Sequence, residues 1–186
     1  MSIKKNWLAV EAWIGDHAPK ARAVLRPGAS DADLEKLETT VGAPLPADLR
    51  ELLQGHDGQK IPPFLSTVMG FMLMPCSDIA TAWTEYGELL DAGDIDRPAK
   101  SKSGTVKPVW WSKKWIPFAE GAGGDLLCVD LDPAKKGTAG QVLRFWHDED
   151  WRDQLAPSVD ALLAAYLDGL AKGEFEVNEL GGISLA

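Results

Sequence analysis

The stretch running from Trp115-Ile116-Pro117-Phe118-Ala119 through Glu120-Gly121-Ala122-Gly123-Gly124-Asp125 to Leu126-Leu127-Cys128-Val129-Asp130-Leu131-Asp132-Pro133 constrains this fold most. Two apolar runs too short for helices flank a glycine-rich reversal that supplies the positive φ values of a tight turn, so the stretch predicts a β-hairpin. Its carboxylates are placed by the same pattern. Glu120 and Asp125 fall at the turn, and Asp130 and Asp132, two residues apart, are expected on one strand face where the chain emerges into water. Leu127, Val129 and Leu131 then face the core.

The 186 residues suffice for one domain with its own core, needing neither disulfide nor structural metal. A formal charge of −9 disfavours nucleic acid and anionic membranes as partners and favours a basic protein. Cys76 and Cys128 sit in apolar surroundings and read as free, reduced thiols, which predicts a cytoplasmic protein. Lys4 and Lys5 before Trp7-Leu8-Ala9-Val10 imitate a signal peptide, but Glu11 and Asp16 interrupt it. No apolar run approaches the ~18 residues of a membrane span.

Helical signals dominate the first half. Trp7, Val10 and Ile14 recur at helical spacing up to Asp16. Ser30 with Asp33 makes a capping box before Leu34, Leu37 and Val41, closed by Gly42. Pro44-Leu45-Pro46 introduces a helix carrying Leu49, Leu52 and Leu53. Gly70 to Pro75 reads as a buried strand, followed by a helix with Ser77 as N-cap and Ile79, Trp83, Tyr86 and Leu90 on one face. Residues 91–108 read as a polar surface loop, Val109 to Trp111 as a resumption of strand, and Gln141 to His147 as another strand. Ser158 caps a last helix with Leu162, Leu163, Tyr166, Leu167 and Leu170 buried and Gly173 closing it. Helices, then strands, then a closing helix predict an α+β fold with a largely antiparallel sheet of about four to six strands.

Several pieces in this order resemble the SUKH superfamily, the domain type of a fungal cell-wall assembly regulator and of bacterial proteins that neutralise polymorphic toxins. They are Leu45-Pro46-Ala47-Asp48-Leu49-Arg50-Glu51-Leu52-Leu53 running into His56-Asp57-Gly58, Trp115-Ile116-Pro117-Phe118-Ala119, Gly123-Gly124-Asp125, Leu131-Asp132-Pro133, and Trp146-His147-Asp148 before a terminal helix. The resemblance spans about residues 30–172. It implies a non-enzymatic protein-binding module without cofactor, most simply an immunity protein that occludes a cognate toxin. The alternative is a regulatory or scaffold adaptor. The 91–108 insertion departs from the pattern, and the Trp7/Trp13 segment has no role in it.

Other chemistries fit the residues less well. Asp125, Asp130 and Asp132 do not match a cation-binding loop, and Gly121 to Gly124 lacks the lysine and hydroxyl of a phosphate loop. Cys128, His56 and His147 follow no catalytic spacing. Trp110, Trp111 and Trp115 among Lys107, Lys113 and Lys114 imitate a base-stacking platform, but the net charge opposes it. The expected contact surface is therefore an acidic rim for a basic protein: Glu120, Asp125, Asp130, Asp132, Asp148, Glu149 and Asp150, with Trp110 and Trp111 as anchors.

Overall fold

A computed structural model describes residues 3–186. The elements are α1 (Ile3–His17), α2 (Pro19–Val24), α3 (Asp31–Val41), α4 (Ala47–Gly55), β1 (Phe71–Leu73), α5 (Cys76–Ala92), β2 (Trp115–Gly121), β3 (Leu126–Asp130), β4 (Gln141–Phe145), β5 (Arg152–Ala156), α6 (Val159–Lys172), β6 (Phe175–Val177) and β7 (Ile183–Leu185). The first five strands form one antiparallel sheet in sequence order, and β6 and β7 pair separately. The α+β expectation is met.

Helices α3, α5 and α6 begin where a side chain satisfies free backbone N–H groups and end at a glycine in the left-handed region. Ser30 and Asp33 form the expected reciprocal capping box on α3, and Gly42 closes it at φ +69°. Ser158 caps α6, and Gly173 ends it in the left-handed region. The α5 start differs from expectation. Pro75 is the N-cap, and the Asp57 carboxylate accepts from the Cys76 N–H at 2.7 Å. Ser77 lies inside the first turn, its hydroxyl donating to Asp78, because a distant carboxylate has taken the capping role.

The β2–β3 hairpin is as predicted, with Glu120 opposite Leu126 and Gly124 at φ +92°. Register sorts the sheet's faces, since directly opposed residues point the same way. Met72, Glu120, Leu126, Phe145 and Arg152 form one row across five strands. This face meets α5 and the 93–114 loop, where Tyr86 stacks on Trp111 at 4.5 Å and both meet the Phe145 ring edge-on. Helix α6 contacts β4 and β5 and carries α1 and α4 beyond it. Asp48 of α4 joins these helices, accepting from the Val159 N–H at 2.7 Å and the Asp160 N–H at 3.2 Å. Asn6 of α1 donates to the Asp160 carboxylate at 2.7 Å.

One expectation fails in the second half, and another holds with a buried anchor. Val109 to Trp111 is not a strand: Val109 makes one isolated bridge to Pro98, and both tryptophans fold into the core. The 91–108 segment opens with the end of α5 and continues as a loop held down by bridges to Val109 and Trp151, with Val106 buried. Strand β5 was not foreseen, because Arg152-Asp153-Gln154-Leu155-Ala156 lacks apolar alternation. Arg152 is nevertheless fully buried. Its Nε donates to the Trp110 carbonyl at 3.0 Å and its Nη1 to the Glu149 and Trp151 carbonyls at 2.7 and 2.6 Å. The guanidinium carbon lies 4.4 Å from the Phe145 ring centroid.

Candidate functional site

The hairpin tip and the groove beside it hold two of the carboxylates named above, Asp125 and Glu120. On one side of the tip, Asp125 receives the Arg144 guanidinium at 3.0 Å, the His147 N–H at 3.2 Å and His147 Nδ1 at 3.0 Å. Burial works against the Asp125 carboxylate, but these hydrogen bonds outweigh it and hold its pKa below the usual value. The same bond from Asp125 raises the His147 pKa. The arrangement clasps the tip to the β4–β5 connection. A Cβ on Gly123 or Gly124 would meet the His147 ring only at ordinary contact distance, so the turn, with Gly124 at positive φ, is what calls for glycine here.

Asp125, His147 and Asp148 present ligand atoms within 4.8 Å of one another, the one such group among the described residues. They fit a divalent cation poorly. The Arg144 guanidinium already engages one Asp125 oxygen, and its charge opposes that of a metal.

On the other side of the tip, a groove of about 340 Å³ opens between α5 and the hairpin. Met74 and Leu126, both buried, and half-buried Tyr86 supply its apolar floor, and Asp78, Glu85 and Glu120 its charge. No basic side chain lines it. Glu120 has no hydrogen-bond or ion-pair partner among the described residues, and burial, then repulsion by Asp78, raises its pKa. Asp78 and Glu85 escaped the sequence reading, which named Tyr86 only as part of its helix's apolar face. Their helical spacing was visible, but nothing local showed that this helix faces Glu120.

The remaining expected contact residues fall into three groups. Asp148 and Glu149 are exposed on the β4–β5 connection. Asp132 pairs with Lys107 and Asp150 with Lys100, so both carry local compensation. Asp130, Trp110 and Trp111 are buried and leave the contact surface. Asp130 is fully buried at the end of β3, accepting from Gln141 Nε2 at 2.9 Å and the Asp132 N–H at 3.0 Å. Burial raises its pKa while those bonds oppose the rise. The chain leaves the strand before Asp132, so the two aspartates do not share an exposed face. Trp110 is covered by the Arg97 guanidinium at 3.4 Å and Trp111 by Tyr86. The stacking platform is thus absent from the described surface.

The residues weighed for nucleophilic catalysis are not brought together. Cys128 is fully buried within β3, and burial holds its thiol well above the ordinary pKa. His56 bonds the Arg26 carbonyl and Glu11, while His147 bonds Asp125. No helix among the described residues is long and apolar enough to cross a membrane.

Comparison with known proteins places these features in a family. The SMI1 / KNR4 family (SUKH-1) model matches residues 28–165. The chain is 29% identical over 190 residues to the cell wall biosynthesis/cell cycle regulator smi1 of Schizosaccharomyces pombe, covering 95% of this chain and 38% of that protein. It is 27% identical over 214 residues to the glucan synthesis regulatory protein of Neurospora crassa, covering 95% and 40%. With the cell wall assembly regulator SMI1 of Saccharomyces cerevisiae it shares 21% identity over 204 residues, covering 91% and 40%. The chain thus spans between 38% and 40% of the length of these relatives. All three are named as regulators of cell wall or glucan synthesis or assembly, which overturns the toxin-immunity expectation in favour of the regulatory alternative. The motifs around the hairpin, the α+β architecture and the match over most of its length make this chain a member of the SMI1/KNR4 (SUKH-1) family.

Proposed function

We propose that this chain is a regulatory adaptor, a protein-binding module that acts without catalysis in a cytoplasmic setting. One observation carries the reading. Alignment with the named regulators covers 95% of the chain, well beyond residues 28–165, so it takes in α2, α6 and much of α1. The likeness is therefore to the regulators' wider arrangement and not only to the shared domain. Supporting it, the candidate nucleophile Cys128 is sealed in the sheet, and neither histidine shares a hydrogen bond with it.

The partner on this reading is a basic protein. A net charge of −9 steers cationic surfaces towards it, and the carboxylates of the groove and of Asp148 and Glu149 give that attraction a place. Affinity purification of the tagged chain from its native cell, followed by mass spectrometry, tests this. The expected result is a stoichiometric complex with a basic protein acting in wall or glucan synthesis, weakening as salt rises. Recovery of no stoichiometric partner would refute the adaptor role. So would a turnover activity that a substitution at Cys128, His56 or His147 abolishes without unfolding the chain.

A further inference from the structure

The groove between α5 and the hairpin carries an inference about what the partner presents. Three features define it. Its floor is apolar, formed by Met74, Tyr86 and Leu126, and its volume of about 340 Å³ admits one long side chain. Its charged lining is Asp78, Glu85 and Glu120, with no lysine, arginine or histidine among them. The nearby cations are engaged elsewhere: Lys113 of the preceding loop pairs with Asp91, and Arg144 is held by Asp125 and lies 3.5 Å above the Trp146 ring.

Glu120 is the residue without a structural explanation. Register places it on the sheet face that meets α5, in the row with Met72, Leu126 and Phe145, where an aliphatic side chain would pack well. A half-buried carboxylate without a donor costs stability. Its place in this row is explained if the missing donor arrives from outside.

We propose that this groove receives a lysine or arginine side chain of the partner protein, its aliphatic stem lying on Met74 and Leu126 and its cationic head meeting Glu120. The proposal rests on the adaptor reading and specifies its contact. Long cationic side chains suit such a site because the stem buries apolar area while the head keeps a charged hydrogen bond. Asp78 and Glu85 at the mouth add attraction and reject acidic competitors.

The test uses the full chain and three probes: N-acetyl-lysine methylamide, N-acetyl-arginine methylamide and uncharged N-acetyl-norleucine methylamide. Nuclear magnetic resonance follows the Met74 methyl, the Tyr86 ring and the Gly124 amide during millimolar titrations. Saturable shifts with a cationic probe and none with norleucine are expected, lysine against arginine distinguishing an ammonium from a guanidinium site. Glu120→Gln should weaken binding by about tenfold or more, the scale of a charged hydrogen bond, while leaving the melting temperature unchanged or raised. Should that variant fail to fold, Glu85→Lys on the exposed side of α5 should weaken binding by placing a cation at the mouth.

Absence of saturable shifts with both cations, equal shifts with norleucine, or unchanged affinity in a folded Glu120→Gln protein would overturn the proposal. If a stoichiometric complex forms but ignores Glu120→Gln, the groove assignment fails and the adaptor role stands. If the cationic probes bind but no protein partner exists, the adaptor role fails instead.

Discussion

Replacing Arg152 with methionine sets two effects of comparable size against each other. Burial pulls the guanidinium pKa from 12.5 down to about 10, which corresponds to about 3 kcal/mol against the charged form. Methionine removes that cost and fills much of the same volume between Phe145 and Trp110. It also strands the Trp110, Glu149 and Trp151 carbonyls, which now accept from Arg152. Hydrogen bonds from a charged donor contribute about 1.5–3 kcal/mol each, the lower end applying where water can replace the donor. The three bonds together outweigh the burial cost. Arg152→Met should lower unfolding stability by about 1–3 kcal/mol. Urea denaturation followed by tryptophan fluorescence measures this, with an unchanged m-value showing that the change lies in stability. Arg152→Lys should be the less stable of the two, because a buried ammonium keeps the charge and cannot reproduce the fork. A methionine variant as stable as the parent would refute the reasoning, since the carbonyls would then need no guanidinium. A lysine variant matching the parent would show that charge, not fork geometry, matters.

Three further outcomes follow from the packing and electrostatics. His147 contributes stability that is full below its ordinary pKa and lost as pH rises through its raised folded value, whereas the Asp125 contribution is lost as pH falls through its lowered one. Amide exchange at Gly123 and Gly124, corrected for intrinsic rates, should therefore be slowest between those limits, and His147→Gln should abolish the alkaline loss. A Cβ on Gly169 would lie 2.8 Å from Phe175 Cε2, while one on Gly15 meets nothing within 4 Å. Gly169→Ala should thus destabilise by about 1–3 kcal/mol and Gly15→Ala stabilise by about 0.5–1 kcal/mol, as read by urea unfolding. Cys128 should resist thiol reagents in the native protein and react at the rate of global unfolding, so fast labelling would contradict its burial.

The sequence was most legible where structure is local. Ser30 with Asp33, Ser158 with Ala161, and Gly42 and Gly173 announced helix ends because a cap is completed within a few residues. The hairpin was legible for the same reason. What stayed hidden depended on distant partners. Asp57 displaces Ser77 as the capping group of α5 from 19 residues away. Asp130 is buried because Gln141 of the next strand offers it a donor, and no local pattern marks that pairing. Trp110 and Trp111 look like strand residues, yet they close a loop over Tyr86 and Phe145. The groove joins β2 to a helix whose register against it is set only in three dimensions. Its charged residues could be counted in advance, but not brought together.

The carboxylate of Asp48, bound to the first turn of α6 while Asn6 of α1 reaches the Asp160 beside it, separates two boundaries that are easily equated. The match to the shared family domain starts at residue 28. The cooperative unit reaches further. Val10 and Ile14 of α1 are fully buried among its packing partners, so trimming the chain to the matched domain would lay bare the surfaces of α4 and α6 that α1 covers. The shared domain and the packed unit of this chain therefore have different boundaries.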